Sequence, residues 1–196
     1  MNTGPIDRAR IGRWLGNLFW LALLVWAAPR CWPHVEAVIG RSASDARQPV
    51  FTVQTRDGRV LTADSLRGRV VLVNIWATWC PPCRAEMPAL QQLADSHADE
   101  PFVLLGLSVD RGPASSVDRF LRERGISYPN AIITDDILRA FGGVRGYPTS
   151  FLLDKRGVLR HTVLGPVAPL TLRPAIARLL REDDAPTRAV APPRSR

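Results

Sequence analysis

The sequence predicts an α/β fold in which a central mixed sheet is flanked by helices and preceded by an N-terminal hydrophobic helix. Three observations carry this expectation. Residues 70–76 (Val-Val-Leu-Val-Asn-Ile-Trp) and 102–109 are near-continuous apolar runs, as strands buried on both faces require. Each run is followed by apolar residues at helical spacing, Met87, Leu90 and Leu93 after the first and Val117, Phe120 and Leu121 after the second. A hairpin pattern then leads into a last helical one, and strands alternating with helices in this way build a layered α/β sheet.

Taken in order, residues 51–53 and 60–61 flank Asp57-Gly58 and predict a first hairpin. Residues 66–69 make a turn into the strand at 70–76. The helix after that strand is expected over 83–94, and the helix after the second strand ends near Gly125. Residues 131–133 predict a short strand, and Ile137, Leu138, Ala140 and Phe141 a short helix closed by Gly142-Gly143. A second hairpin joins 149–153 to 158–159 through the turn at 154–157, and a final helix runs from about 170 to 180. The tail 183–196 holds three prolines and no apolar periodicity, so it is expected to be disordered.

A chain of 196 residues with 46% hydrophobic content buries one sizeable core and has little left for a second. The net charge is +8, but of the 26 basic residues only Lys155 is lysine. The arginines are spread out and form no stripe interleaved with aromatics, so no nucleic-acid partner is expected. Three cysteines are too few for a disulfide framework, and Cys80 and Cys83 are too close to staple a large loop. A pair at this spacing is half of a zinc site or a redox couple. Cys31 belongs to the N-terminal segment and His34, His97 and His161 are scattered, so no second ligand pair exists and neither metal nor cofactor is expected.

Residues 14–28 are apolar and uncharged, and Arg8, Arg10 and Arg13 precede them, the pattern of a signal-peptide core or a short single-span anchor. An uncleaved anchor is preferred. Val25-Trp26-Ala27 matches a cleavage pattern imperfectly, and a cut after Ala28 would leave Pro29 just beyond the scissile bond. The expected organisation is a basic cytoplasmic N-terminus at 1–13, a membrane anchor or signal segment at 14–33, a spacer at 34–48, one domain at 49–182 and a disordered tail at 183–196. The domain is expected in the periplasm, tethered to the inner membrane by a single pass, or released into the periplasm if the segment is cleaved.

Cys80 and Cys83 directly follow the first buried strand and open a helix. There the unpaired N–H groups and the positive end of the helix dipole stabilise a thiolate and make the Cys80 sulfur nucleophilic. Cys83, about one turn on, is placed to resolve a mixed disulfide. Pro82 is tolerated early in the helix, where its missing N–H has no helical partner to lose.

Residues 73–88 (Val-Asn-Ile-Trp-Ala-Thr-Trp-Cys-Pro-Pro-Cys-Arg-Ala-Glu-Met-Pro) and, further on, Gly146-Tyr147-Pro148-Thr149 resemble the TlpA/ResA family of membrane-anchored thioredoxin-like proteins, which includes the thiol reductases of cytochrome c maturation. The resemblance runs from about residue 50 to residue 181 and implies a thioredoxin-like fold for the 49–182 domain. It implies that Cys80 is the exposed nucleophile, Cys83 the resolving thiol and Pro148 a cis-proline beside them. Trp79, Pro81, Pro82, Tyr147 and Thr149 would line the substrate groove. Thioredoxins proper carry a buried Asp six residues before the first cysteine, where this chain has Asn74, an amide that cannot titrate. The resemblance therefore moves the proton-handling role to Glu86, one helical turn after Cys83, with Asn74 as its neighbour.

The expected function is a membrane-tethered dithiol reductase outside the cytoplasmic membrane, acting on cysteine pairs of apocytochrome c or of a respiratory copper-site protein and re-reduced by a membrane electron donor. The soluble domain is expected to be monomeric. A disulfide oxidase or isomerase is the competing enzyme reading, disfavoured because Pro81-Pro82 lacks the histidine that helps make strong oxidants. A copper-binding chaperone using both thiolates is the non-enzymatic competitor. The run Gly106-Leu107-Ser108-Val109-Asp110 is also similar to peroxiredoxins of the same superfold, but no Thr stands three residues before a lone cysteine.

Overall fold

Seven consecutive buried residues organise the architecture. The computed structural model describes residues 41–42 and 47–182. In chain order these form β1 (Arg41–Ser42), β2 (Thr52–Gln54), β3 (Val60–Thr62), β4 (Val70–Trp76), α1 (Pro81–Ser96), β5 (Phe102–Ser108), α2 (Ala114–Glu123), β6 (Asn130–Ile132), α3 (Asp135–Ala140), β7 (Thr149–Leu153), β8 (Leu159–Leu164), α4 (Ala168–Thr171) and α5 (Arg173–Arg181). Every residue of β4 is buried, and this strand lies inside a six-stranded sheet of order β1-β8-β7-β4-β5-β6. β5 runs parallel to β4 and to β6, whereas β7 is antiparallel to both β4 and β8. β2 and β3 form a separate hairpin, joined to β6 by the bridge between Thr55 and Ala131.

The two-residue period of a strand explains why β4 has no polar face. Val71, Val73 and Ile75 join Phe51, Leu107, Phe141 and Phe151 in one apolar cluster, on the side of the β2–β3 hairpin and α3. Val70 and Leu72 join Leu90, Leu93, Val163, Ile176 and Leu179 in a second, beneath α1 and α5. Burying side chains of this size contributes roughly 1.5–3 kcal/mol each, so the pairing of β4 with its neighbours is strongly specified. The same alternation puts Asn74 on the α1 side, a buried amide among aliphatic residues. A third cluster, containing Trp76, Cys80, Cys83, Met87, Val117 and Leu121, closes the carboxyl end of the strand.

Three differences from the sequence expectations have physical causes. The last helix is two, α4 and α5, because Pro174 has no N–H to offer the carbonyl four residues earlier; the hydrogen bonds resume with the Ile176 N–H on the Leu172 carbonyl at 2.8 Å. Arg41–Ser42, within the stretch expected to be a spacer, pairs with Thr162 and His161 at the edge of the sheet, and two residues carry no periodicity to announce a strand. The third is a correction to the membrane-tethered reading. Among the described residues no helix is long and apolar enough to cross a membrane. The longest, α1, has 16 residues, about 24 Å at 1.5 Å per residue against a hydrocarbon core of about 30 Å, and it carries Arg84 and Glu86. The anchor expected at 14–33, and the hydrophobic helix that would form it, lie outside the described residues. The single-pass inner-membrane topology, the periplasmic placement and the partnership with the membrane are therefore withdrawn.

Gly106 in β5 is required by close approach. A Cβ there would stand 2.0 Å from Asn130 Oδ1 and 3.0 Å from Trp76 Nε1. Those two atoms form a buried hydrogen bond, with Trp76 Nε1 donating to Asn130 Oδ1 at 3.0 Å, while Asn130 Nδ2 donates to the Tyr128 carbonyl at 2.9 Å. Gly106→Ala is expected to lower unfolding stability in urea by about 2–3 kcal/mol through overpacking and a broken buried hydrogen bond. Gly112→Ala, where an added Cβ meets nothing within 4 Å, is the control and should change stability by less than about 1 kcal/mol.

Candidate active site

β4 ends at Trp76, and Ala77-Thr78-Trp79 turn the chain into α1. The Cys80 N–H bonds the Ala77 carbonyl at 3.2 Å, closing the turn, and Cys80 is the N-cap of α1, its Sγ accepting the Cys83 N–H at 3.3 Å. A sulfur thus takes the place that a Ser or Asp oxygen usually holds at a helix start, satisfying one of the free N–H groups. Pro81 and Pro82 occupy the first helical positions, where no N–H is missed. Cys80 and Cys83 are joined in a disulfide. In this oxidised state Cys80, expected to be exposed, is only 4% accessible and Cys83 not at all. Exposure belongs to their neighbours: Pro81, Pro82 and Arg84 face solvent, and Trp79 is 62% accessible.

Across from the disulfide, the Tyr147–Pro148 peptide bond is cis. Tyr147 meets Trp79 edge to face, with ring centroids 5.9 Å apart, so the two aromatic residues named from separate motifs form one wall. Thr149 lies deeper. It is buried and its hydroxyl donates to the Gly146 carbonyl at 2.7 Å, bracing the loop. An open groove of about 780 Å³ runs beside Trp79 and Tyr147, with Ile133, Leu138, Asp110 and Arg111 among its other lining residues.

Behind Cys83, on the same face of α1, Glu86 is buried with 4% accessibility. Asn74 Nδ2 donates to Glu86 Oε1 at 2.7 Å and to Ser150 Oγ at 3.0 Å, so β4 links α1 to the strand that follows the cis peptide. Asn74 Oδ1 and Glu86 Oε2 are buried with no hydrogen-bond partner among the described residues. Burial pushes the Glu86 carboxyl up to about 7, only partly opposed by the Asn74 hydrogen bond. Burial and the Glu86 charge push the Tyr128 phenol further above its ordinary value. A carboxyl that exchanges its proton near neutrality, one turn from a buried sulfur, suits a group that takes and returns a thiol proton.

The structure brings Asn74, Trp79, Cys80, Cys83, Glu86, Tyr147 and Pro148 to the carboxyl end of β4. It adds Ser150, Tyr128 and Asp110, none of them assigned a place at the site from sequence. Ser150 and Tyr128 sit in no motif. Asp110 had a signal, the polar pair Ser108 and Asp110 closing an otherwise apolar strand.

A disulfide at the start of a helix, following a doubly buried parallel strand and facing a cis-proline loop, defines a thioredoxin-like thiol-disulfide oxidoreductase. The chain belongs to the AhpC/TSA family, whose model matches residues 44–162, and closely matches thiol-disulfide oxidoreductases of the ResA and DsbE type. The thiol-disulfide oxidoreductase ResA of Bacillus anthracis is 32% identical over 117 residues, 60% of this chain and 67% of the relative. The thiol:disulfide interchange protein DsbE of Pseudomonas aeruginosa is 35% identical over 125 residues, 63% of this chain and 67% of the relative. Among solved structures, a thiol:disulfide interchange protein of the thioredoxin family from Chlorobium tepidum TLS superposes with a TM-score of 0.63 at 32% identity, covering 71% of this chain and 99% of its own.

The raised Glu86 carboxyl has a stability consequence with a definite sign. Because its folded value of about 7 exceeds the ordinary 4.5, the folded state prefers the protonated acid. That preference is fully present below about pH 4.5 and is lost as pH rises through about 7. The thermal midpoint of the oxidised protein should therefore fall between about pH 5 and pH 8, by the equivalent of up to about 3 kcal/mol. Glu86→Gln should flatten that dependence, as read from melting curves across the range.

Proposed function

We propose that the chain is a dithiol reductase of protein disulfides, with cysteine pairs of apocytochrome c or of a respiratory copper-site protein as the substrate class. The observation that carries the proposal is the buried Glu86 behind Cys83, held by Asn74 where thioredoxins use an acid. The likeness to the ResA oxidoreductase and the DsbE interchange protein supports disulfide exchange as the chemistry, and the Pro81-Pro82 pair, which lacks the histidine that helps make strong oxidants, supports the reducing direction.

In the reduced protein the Cys80 thiolate, stabilised at the helix start, attacks one sulfur of the substrate disulfide. The substrate disulfide breaks, a mixed disulfide to Cys80 forms, and the displaced substrate thiolate takes up a proton. Cys83 then gives its proton to the Glu86 carboxylate and attacks the Cys80 sulfur. The second substrate thiol leaves, and the Cys80–Cys83 disulfide seen in the structure is the product. Two electrons pass to the substrate, so each cycle requires a dithiol donor to reopen the pair. Pro148, with no N–H, and the Trp79–Tyr147 wall frame the approach of the substrate to Cys80.

Cys83→Ser is expected to accumulate a mixed disulfide through Cys80, visible as a higher-mass band on a non-reducing gel and identifiable by mass spectrometry. Cys80→Ser should trap nothing; trapping by Cys80→Ser in place of Cys83→Ser would reverse the two roles. Equilibration with glutathione buffers should place the pair well below about −120 mV, whereas a value in that strongly oxidising range would rule out the reducing direction.

A further inference from the structure

The polar end of β5 has no part in the mechanism above, yet it is bonded to the turn that delivers the nucleophile. In the parallel ladder Trp76 pairs with Ser108, and the Val109 N–H bonds the Trp76 carbonyl at 2.9 Å. Beyond that rung the two chains separate, one into the turn at 77–80 and the other into the loop before α2. A single carboxylate rejoins them. Asp110 Oδ2 accepts the Thr78 N–H at 3.0 Å and the Ser108 hydroxyl at 2.5 Å, and Asp110 Oδ1 accepts the Thr78 hydroxyl at 2.6 Å. Ser108 is fully buried, and its Oγ accepts the Asp110 N–H at 3.1 Å, which locks the carboxylate in place.

We infer that Asp110 is a positioning residue for Cys80, whose carboxylate fixes the turn carrying the sulfur and whose negative charge restrains thiolate formation there. This rests on Cys80 being the attacking sulfur. The geometric half follows from the bond count: Thr78, two residues before Cys80, has both its backbone and side-chain donors committed to one rigid acceptor. With Thr78 held, the turn keeps Cys80 as helix cap while Trp79 projects over the groove.

The electrostatic half follows from the company Asp110 keeps. Its neighbour Arg111 pairs with Asp135 at 3.5 Å, and among the described residues no cation forms a salt bridge with Asp110. Among the described residues, the charged or titratable groups near the turn include Arg84, exposed on α1, Glu86, buried behind Cys83, and Tyr147 with the Arg111–Asp135 pair along the groove. An anion bonded two residues from the sulfur opposes the stabilisation a helix start provides. The run from Gly106 to Asp110 thus has a role in setting how reactive Cys80 is.

The test is the rate of Cys80 alkylation by iodoacetamide in the reduced protein as a function of pH, with the modified cysteine identified by mass spectrometry, alongside turnover of a protein disulfide such as insulin. Asp110→Asn is expected to move the midpoint of the alkylation profile down by about 0.5–1 pH unit and to lower kcat/KM about five- to tenfold. Thr78→Val keeps the carboxylate and removes one bond, so it should slow turnover about two- to threefold with the midpoint unmoved. Thr78→Ser should restore the wild-type rate, and Thr78→Val combined with Asp110→Asn should be no slower than Asp110→Asn alone. Slowing in both single variants with no shift of the profile in Asp110→Asn would reduce Asp110 to a merely structural bond and overturn the inference. Should Asp110→Asn not fold, wild-type turnover in Thr78→Val would overturn it as well. Alkylation of wild type at Cys83 in place of Cys80 would refute the site assignment itself, a separate outcome.

Discussion

The double burial of β4 is the constraint on which the rest of this structure depends. A strand covered on both faces offers solvent nothing along its length, so reactive groups can be presented only at its ends. Its carboxyl end is where α1 begins, and free N–H groups and the positive end of the helix dipole come with any helix start. Neighbouring strands deliver the remaining parts to the same level. β7, antiparallel to β4, begins there directly after the cis peptide, and β5, parallel to β4, ends there with Ser108 and Asp110. Ligand sites of open α/β sheets gather at the carboxyl ends of parallel strands for this reason.

Two carboxylates then treat the two sulfurs differently. Glu86 is buried behind Cys83, where burial raises its carboxyl to about 7, the range that the proposed proton exchange with Cys83 calls for. Asp110 is half-buried, accepts three hydrogen bonds and is fixed beside the turn that precedes Cys80. Asn74 suits this division. A second acid 2.7 Å from Glu86 would compete with it for one proton, whereas the amide donates to Glu86 and to Ser150 at once and leaves Glu86 the only titrating group of that buried trio.

Elements with long apolar repeats were legible in advance. β4, β5 and α1 have enough buried positions for periodicity to show, and the two hairpins carry turn residues whose conformations leave few alternatives. The break between α4 and α5 was missed because the apolar spacing continues across Pro174 and hides the lost hydrogen bond. β1 was missed because a two-residue edge strand has no pattern of its own. At the site, Cys80, Cys83 and Glu86 lie within two turns of one helix, and sequence spacing alone brings them together. Ser150 and Tyr128 come from other elements, and nothing local marks them.

By itself the sequence determined the class of fold and the chemistry of one helix start, since both follow from periods of two and about 3.6 residues and from the residue types at fixed offsets along one segment. It also determined that Asn74 could not be the titrating group, a matter of covalent structure. Only the tertiary structure decided how far Glu86 is buried, that Cys80 is enclosed in its disulfide form, that Trp79 and Tyr147 share a wall, and that Asp110 holds the turn before Cys80. Each of these depends on contacts between residues tens of positions apart. Burial and proton affinity are properties of what surrounds a group, and the surroundings are assembled only when the sheet closes around β4.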